Sequence, residues 1–450
     1  MRLKKLMNAW WTKYLPFFIR ESLDGRHKLQ KVIGNTGWLM FEKIVQAGVG
    51  LVVAAWTAQY LGPESFGQLS YAIAFVGLFA AISMLGFDNV GVREMVRAPE
   101  QKDILVGTCF FLMLSAGVMI FGLILGGIFI IRPHDTLTHC LVGIIAAGTP
   151  FLATGAIDFW FQSQVQSKYS IYAKTIVFLI FSAARVSLIL MKAPLTAFAW
   201  LVLAEISFKS LGILLVYQMR GNEIKNLHLN IKMAANLLRD SWPLIFSTII
   251  YLIHLRIDQI MIGEMVGNDE LGMYAAAVRL AEGWWFIPIA ICASVFPDIV
   301  KAGANSEELY YDRLQKLYNL LVLIAYLIAI TIYFGSSSII KLLFGAAYLK
   351  AGPVLAVLIW SGVFTSLGAA RVIYLTSRNW GKLELISSLF GCILNVCLNI
   401  YLIPHYGAMG SAIATCISSW FAIHVTCFIF RPLRKTGIML TKAIFYPKIW

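Results

Sequence analysis

Apolar runs about as long as a membrane is thick recur throughout this 450-residue chain. A helix needs about 20 apolar residues to cross the roughly 30 Å of bilayer hydrocarbon. Only 13% of the residues are charged, whereas soluble domains carry about 25%. The sequence therefore predicts an all-α integral membrane protein with about twelve transmembrane helices. We expect these helices at 35–60, 67–87, 104–131, 139–160, 171–190, 195–217, 242–265, 272–296, 317–334, 353–376, 383–403 and 408–430.

The net charge of +14 is concentrated on one side of this predicted topology. With an inner N-terminus, 26 of the 37 Lys and Arg residues fall in inner segments, 4 in outer segments and 7 within helices. Positive residues accumulate in the cytoplasmic loops of membrane proteins. We therefore expect both termini in the cytoplasm. The basic excess follows from topology and requires no nucleic-acid partner.

The charged inner connection RGNEIKNLHLNIKMAANLLRD, at 220–240, separates the helices into two groups of six. An even number of helices gives both groups the same orientation, so we expect two bundles related by a pseudo-twofold axis around a central cationic cleft. The first segment is expected either to lie on the inner membrane surface or to be a plain tail. The predicted divisions are a basic N-terminal segment at 1–34, bundles at 35–217 and 242–430, a linker at 218–241 and a basic tail at 431–450.

One turn is written twice in the sequence, as LGPESFGQLSYAIA at 61–74 and VGNDELGMYAAAVR at 266–279. Each copy is expected at the outer turn between the first two helices of a bundle, with acidic residues near the positive end of the incoming helix dipole. Small residues there allow two helices to approach closely. Tight membrane turns in general also collect such residues, which leaves a second explanation open. The shared glycines are Gly62 and Gly267, and Gly67 and Gly272.

Seven cations fall inside the predicted helices, where a charge costs at least ~2.5 kcal/mol and needs water, a partner or the bundle interior. By helical rise, Arg256 and Arg279 should lie at or outward of the midplane, and Lys43 and Arg371 in the inner half. Arg offers paired donors to phosphate, so a cleft with cations at several depths suits a polyanionic head group. Snorkelling or ion pairs between helices is the alternative. The candidate substrate-binding residues are Lys43, Arg185, Arg256, Arg279 and Arg371.

Some embedded charges have partners at helical spacing. Glu205 and Lys209 are expected to form a structural pair, and Arg279 is three residues from Glu282. His254 and Asp258 would either form a structural hydrogen bond or relay protons. The inner segment GFDNVGVRE fits a mobile loop with gate ion pairs or a solvated loop. The candidate coupling or gating residues are Glu42, Asp88, Arg93, His254, Asp258 and Glu282.

The seven cysteines lie in or beside apolar helices and are interpreted as packing residues. They form no CxxC pair and no cluster with His at metal-ligand spacing. The sequence therefore predicts neither a metal site nor a cofactor.

With GNTGW (34–38), AQYLGPESFGQLSYA (58–72), LGFDNVGVREMVR (85–97) and VGNDELGMYAAAVRLAEG (266–283), the sequence resembles the Wzx-type O-antigen and polysaccharide flippases. These belong to the multidrug/oligosaccharidyl-lipid/polysaccharide exporter superfamily. The resemblance implies a bacterial inner-membrane protein, not an enzyme, that moves undecaprenyl-diphosphate-linked oligosaccharide to the periplasmic leaflet by alternating access. It also implies contact with membrane lipids, the polysaccharide polymerase and the chain-length machinery.

Other functions fit the sequence less well. A cation-coupled multidrug antiporter of the same superfamily would favour acids in its cleft. Here the predicted helices contain seven cations and five acids. A lipid II flippase normally has additional helices. A membrane glycosyltransferase would be expected to show an Asp-x-Asp metal motif, which this sequence lacks. An O-antigen polymerase would need a long basic outer loop, and the predicted outer loops are short.

Overall fold

The computed structural model describes residues 27–378 and 380–448, with the backbone alone at 27–36, 39 and 304. Most of the predicted N-terminal segment at 1–34, and the last two residues of the predicted tail, lie outside the described residues. Every regular element in the described part of the chain is a helix. This agrees with the predicted all-α class.

The first half of the chain forms long helices joined by short turns. They are α1 (His27–Ala80), α2 (Phe87–Arg97), α3 (Lys102–Ile131), α4 (Thr136–Ala146), α5 (Gly155–Ser163), α6 (Lys168–Leu190) and α7 (Leu195–Met219). Short 3-10 turns lie at Ala81–Met84 and Thr149–Thr154. The second turn divides one predicted span into α4 and α5.

The second half repeats this pattern and ends in an additional short helix. Its elements are α8 (Ile231–Met265), α9 (Asn268–Glu282), α10 (Phe286–Asn305), α11 (Glu307–Phe344), α12 (Ala351–Leu358), α13 (Ser361–Ser377), α14 (Gly381–Trp420), α15 (Thr426–Ile429) and α16 (Arg434–Phe445). A π-helical turn, Phe421–Val425, joins α14 to α15.

Ten stretches of the described residues are long and apolar enough to cross a membrane. The two longest, Met40–Arg97 and Gly381–Ile429, have 58 and 49 residues. A straight helix of the first length would extend about 87 Å, roughly twice the full bilayer thickness. Each instead contains a non-helical glycine, Gly62 or Gly407. Both stretches therefore correspond to two predicted spans each, which agrees with the expected twelve.

Three segments without a predicted span contain helices. The expected linker at 218–241 holds the start of α8, where the Asn230 side chain caps the helix by accepting a hydrogen bond from the backbone N–H of Met233 at 3.1 Å. The expected inner loop around Asp88 and Arg93 forms α2, which corrects the mobile-loop expectation. The expected tail contains α16. These helices are short or interrupted by charged residues, so they show no apolar run long enough to be predicted as a span.

The repeated turns pack against each other across the two halves. Both begin with a glycine in the left-handed region, Gly62 with φ 72° and Gly267 with φ 126°, which only glycine adopts at little cost. We call the side of the membrane on which these turns lie the outer side, in keeping with the predicted topology. The first turn divides α1 into a first arm (27–61) and a second arm (63–80).

Two other glycines of the repeat bring the backbones of the halves together. A methyl group at Gly67 would lie 1.8 Å from the carbonyl oxygen of Asn268, and one at Gly272 would lie 2.0 Å from that of Pro63. Equivalent residues thus make reciprocal contacts, as a pseudo-twofold relation between the halves requires. The repeat therefore forms the outer contact between the bundles, whereas the sequence had suggested a close approach within each turn.

Replacing Gly67 with Ala should destabilise the protein by about 1–3 kcal/mol, because the added methyl overlaps backbone of the other half. The measurement is the thermal unfolding midpoint of the purified protein in detergent. Gly126→Ala is the matched control, since a methyl there meets no atom within 4 Å. Equal midpoints for the two variants would contradict the close contact between the halves.

Candidate functional site

A cavity of ≈ 290 Å³ lies between the first arm of α1 and the end of α9, and hence between the two halves. Its polar lining comes from Lys43 and Gln46 on α1 and from Arg279 and Glu282 on α9. Buried Glu42 is not part of the lining, but it accepts a hydrogen bond at 3.1 Å from the side chain of Gln46, which is part of it. The structure therefore brings three of the sequence-predicted residues, Lys43, Arg279 and Glu282, into one site.

Lys43 and Arg279 are the uncompensated cations of this cavity. Both are exposed, and neither has an ion pair or a side-chain hydrogen bond with another described residue. Counting from the outer turns at Gly62 and Gly267, they lie about 28 Å and about 18 Å into the membrane. Arg279 is thus near the middle of the ~30 Å of hydrocarbon, where a bare cation must face water or an anionic ligand, and Lys43 is near the inner boundary. We call this region, between α1 and α9, the cation cleft.

Arg256 lies beside the cation cleft in a paired state. Its two terminal nitrogens each donate to one carboxylate oxygen of Glu282, both at 3.1 Å. This two-point geometry is the strongest arrangement for an Arg–carboxylate pair. Glu282 therefore forms its hydrogen-bonded pair with Arg256 on α8, and it acts on Arg279, its neighbour on α9, only through a longer-range electrostatic attraction. The cleft keeps a net positive charge.

Arg185 belongs to an ion cluster inside the first half. Its Nη2 donates to one oxygen of Glu205 at 2.9 Å, and Lys209 donates to the other oxygen at 2.7 Å. The expected Glu205–Lys209 pair is therefore present, with Arg185 as a third member. The acid partner of Arg185 lies 20 residues along the chain, on the next helix.

Arg371 is held within the second half and is 1% exposed. It donates to Glu384 at 2.8 Å and to the carbonyl oxygens of Ala422 and Ile423 at 2.9 and 3.0 Å. These carbonyls belong to the π-helical turn, which interrupts the regular i→i−4 ladder. Arg371 thus stabilises this turn, and with Glu384 it lines a second cavity in this half and not the cation cleft.

A second cavity of ≈ 320 Å³ lies within the second half, between α8, α9, α13 and α14. Asp258 and His254 line it, but they do not bond to each other. Asp258 instead accepts hydrogen bonds from the Tyr274 hydroxyl and, at 2.7 Å, from the backbone N–H of Gln259. The buried Nδ1 of His254 has no partner among the described residues.

Hard oxygen donors surround this second cavity or lie near it on α14. Thr415 lines the cavity, and its hydroxyl, like that of Ser411, interacts with the Tyr274 hydroxyl beside Asp258. The buried side-chain oxygen of Asn399 has no partner in the described structure. Asn399 also donates to Asn395 at 3.0 Å. Hydroxyl oxygens beside a buried carboxylate are the kind of ligand that suits a small hard cation or a proton.

Arg132 joins the halves at the outer side and was missed as a functional residue by the sequence analysis. Its Nε donates to Glu264 at 2.6 Å and its Nη2 to the carbonyl of Gly263 at 2.8 Å. Its guanidinium carbon lies 3.9 Å from the centroid of the Tyr71 ring. The sequence did contain a signal for this role, because Arg132 is one of only four Lys and Arg residues in the predicted outer segments.

The charge of Arg132 also acts on the neighbouring loop. Asp135 caps α4 by accepting the backbone N–H of Thr138 at 2.9 Å. Partial burial opposes ionisation of this carboxyl group, but the Thr138 hydrogen bonds and Arg132 outweigh it. Together they hold the pKa of Asp135 below its usual range. The Asp135 carboxylate beside Arg132 therefore stays ionised to a lower pH than a free aspartate.

Arg93 joins the halves at the inner side. Its Nη2 lies 2.7 Å from Asp240 at the start of α8, and its Nε lies 2.8 Å from Glu94. Asp88 is exposed and accepts a hydrogen bond from Asn89 at 3.2 Å, without joining this pair. The side chains of Arg93, Glu94 and Asp240 are all accessible to solvent, so their ion pairs contribute little to the stability of the protein.

No group of three or more His, Cys, Asp and Glu residues with metal-binding geometry occurs among the described residues. The cysteines of the described chain are free thiols.

Comparisons with known proteins identify the family. The sequence family described as "Polysaccharide biosynthesis protein" matches residues 32–302, and the MatE family matches residues 243–401. The chain belongs to the polysaccharide biosynthesis protein family. It is therefore a membrane transporter of the multidrug/oligosaccharidyl-lipid/polysaccharide exporter superfamily, as the sequence resemblance implied.

Two relatives with similar sequences agree with that assignment. A putative O-antigen transporter of Shigella flexneri is 23% identical over 403 residues, which cover 85% of this chain and 94% of that protein. A probable low-salt glycan biosynthesis flippase of Haloferax volcanii is 24% identical over 171 residues, and the match spans only 35% of that protein and 37% of this chain.

The fold matches two solved transporters along their length. An inward-facing multidrug resistance MATE transporter gives a TM-score of 0.70 at 15% identity, covering 90% of this chain and 99% of that chain. A lipid II flippase in an inward closed conformation gives the same TM-score and identity, covering 92% and 91%. The family member described here thus has the transporter fold of this superfamily.

The two kinds of embedded arginine should respond differently to substitution. Arg371→Gln should destabilise the protein by roughly 2–3 kcal/mol, because Glu384 and the π-turn carbonyls lose their cationic partner. Arg279→Gln, the matched control, should leave stability unchanged or slightly raised, because it removes an unpaired cation. Thermal unfolding of purified variants in detergent measures both. A loss of stability for Arg279→Gln as large as that for Arg371→Gln would contradict the assignment.

Proposed function

We propose that this transporter moves an undecaprenyl-diphosphate-linked oligosaccharide, an O-antigen or related repeat unit, from the cytoplasmic to the periplasmic leaflet of a bacterial inner membrane. The observation that carries the proposal is the cation cleft between the halves, with Lys43 and Arg279 unpaired. A diphosphate supplies the negative charge that this pair lacks. Arg offers it a planar set of donors, and Lys offers a compact charge.

The origin of the two cations supports alternating access. Lys43 belongs to the first half and Arg279 to the second, so one bound diphosphate would contact both halves at once. A ligand shifts a conformational equilibrium only by its difference in affinity between the states. Contact with both halves supplies such a difference, because the affinity depends on the distance between them. In this proposal the termini lie in the cytoplasm.

The rest of the cleft lining suits a substrate with a lipid tail. Small and apolar residues, Ala47, Gly50, Leu51 and Phe286, surround the cations. In this arrangement the two cations neutralise the charge of the diphosphate head group. The polyprenyl chain stays in lipid outside the bundles. The Shigella flexneri relative, a putative O-antigen transporter, matches over 94% of its own length and supports this class of substrate.

A cation-coupled multidrug antiporter of the same superfamily is the second candidate. The likeness to a multidrug resistance transporter favours it. The charge of the cation cleft opposes it, because two unpaired cations repel a cationic drug. A membrane glycosyltransferase or polymerase is a weaker candidate, since the matched families are named for polysaccharide biosynthesis and transport and the fold is that of transporters.

Arg279→Ala should reduce flipping about 10-fold or more, because a hydrogen bond to a charged group contributes ~1.5–3 kcal/mol. Arg279→Lys should keep more activity, since it retains the charge and loses the planar donors. Lys43→Ala should have an effect of similar direction. The measurement is the cytoplasmic-leaflet accumulation of the lipid-linked repeat unit in a host that carries only the variant protein.

The matched control for this experiment is Lys301→Ala, which removes an exposed cation at the inner end of α10, outside the cleft lining. It should flip at the level of the unmodified protein. Normal flipping by Arg279→Ala and Lys43→Ala would reject the diphosphate role. Efflux of cationic drugs by the unmodified protein, without accumulation of lipid-linked sugar when it is absent, would favour the antiporter.

We also propose that Asp258 couples transport to a monovalent cation, either a proton or Na⁺. It is a buried carboxyl group that lines the second cavity, and the Thr415 and Ser411 hydroxyls of α14 lie close to its partner Tyr274. His254 faces the same cavity and offers an alternative proton acceptor. Asp258 does not line the cation cleft, but Glu282 lines both cavities, so the coupling ion and the diphosphate would act on neighbouring sites that share one carboxylate.

Asp258→Asn should abolish the dependence of flipping on an imposed gradient, because the amide neither ionises nor carries a charge that holds a cation. Proteoliposomes containing lipid-linked sugar are given a proton or a Na⁺ gradient, and the transfer between leaflets is timed. His254→Gln separates the two residues, since loss of proton dependence there would assign proton transfer to His254. An unmodified protein that responds to neither gradient would exclude coupling.

A further inference from the structure

The last helix, α16, has two chemically different faces. Thr436, Gly437, Met439, Leu440 and Ala443 are buried against the second half. A methyl group at Gly437 would lie 2.9 Å from the Cβ atom of Cys427, so the helix packs closely there. The packing fixes which side chains face away from the protein.

The opposite face of α16 combines cations with large apolar side chains. Ile438 is 52% exposed, Phe445 is 70% exposed and the following Tyr446 is 74% exposed. Arg434 and Lys442 are exposed on the same arc. With 100° per residue, these four positions of α16 fall within about 80° around the helix axis. Cations therefore flank a row of exposed apolar groups.

The charge of this segment has a single sign. Residues 431–450 contain five Lys and Arg residues and no Asp or Glu. The last membrane-spanning stretch ends at Ile429, so α16 begins directly at the membrane boundary. A helix of this kind, with aromatic and aliphatic groups beside cations, is typical of segments in contact with the lipid head-group region.

We propose that the exposed face of α16 is a docking surface for anionic phospholipid head groups of the inner leaflet. Phosphates would contact Arg434 and Lys442, and Ile438 and Phe445 would enter the boundary between head groups and acyl chains. Lys435 contributes less to this surface, because its Nζ already lies 3.2 Å from the centroid of the Tyr311 ring. The lipid would supply negative charge for the two cations and an apolar contact for the two apolar side chains.

Hydrogen bonds connect α16 to the membrane-spanning helices. Thr441 is 2.8 Å from the His424 ring in the π-helical turn, and Thr436 is 2.8 Å from the Tyr318 hydroxyl on α11. The carbonyl of Ile444 accepts from Tyr326, also on α11, at 2.9 Å. Bound lipid would therefore hold α16, the π-turn and α11 together, and we expect it to raise the thermal stability of the second half.

The experiment titrates the full-length protein in mild detergent with phosphatidylglycerol and counts bound lipids by native mass spectrometry. Arg434→Gln/Lys442→Gln should lower the apparent affinity about 10-fold or more, since each cation near an anionic surface contributes ~1 kcal/mol. Phe445→Ser should weaken binding while leaving the charge intact. The control, Lys225→Gln/Lys232→Gln, removes two exposed cations elsewhere on the inner side and should bind normally.

Three outcomes would overturn this proposal. Equal losses in the two double variants would mean that binding follows net charge alone. Equal affinity for phosphatidylcholine would remove the need for an anionic head group. Displacement of the lipid by millimolar inorganic phosphate would indicate a site for free phosphate. Unfolding midpoints without lipid should match between the unmodified protein and the variants, which distinguishes lost binding from misfolding.

Discussion

The cost of a bare charge in hydrocarbon determines how the polar residues of this protein are arranged. Five of the seven embedded cations meet an acid on the same or a neighbouring helix. Lys174, for example, lies 2.5 Å from Asp158. Such pairs offset the desolvation of both partners, and removing one partner leaves the other uncompensated. The two exceptions, Lys43 and Arg279, line one cavity. Because structural pairing accounts for the other five, these two are the cations that we propose for the ligand.

The contact between the halves has a different physical basis at each end. At the outer side, Gly67 and Gly272 let two backbones approach without side chains between them, and Arg132 adds a nearly buried clamp to Glu264. At the inner side, the Arg93–Asp240 pair is exposed on both partners. An exposed pair is screened by water and salt, whereas close backbone packing is not. The outer contact is therefore the more specific of the two.

Sequence patterns predicted the elements of the fold well and the partners of the charged residues poorly. Long apolar runs mark the spans, and the repeated turn marks the two halves, because both signals are local in the chain. The acid partners of Arg185, Arg256 and Arg371 lie 20, 26 and 13 residues away on other helices, beyond any helical spacing rule. The sequence could predict that embedded cations form the site. Only the packing of the helices shows which of these cations have no ion pair.

The same two helices carry both the outer contact and the cation cleft, and this links binding to motion in the proposed mechanism. The second arm of α1 packs on α9 near Gly67, while the first arm carries Lys43 and the end of α9 carries Arg279. Two like charges on opposite walls of the cleft repel each other across the inner part of the interface. A diphosphate between them would turn that repulsion into attraction and draw the inner ends together. If each half moves as one body, closure at the inner end would strain the glycine contact and the Arg132–Glu264 pair at the outer end. Substrate charge could in this way favour opening toward the other leaflet, whereas an empty cleft would keep the outer contact intact.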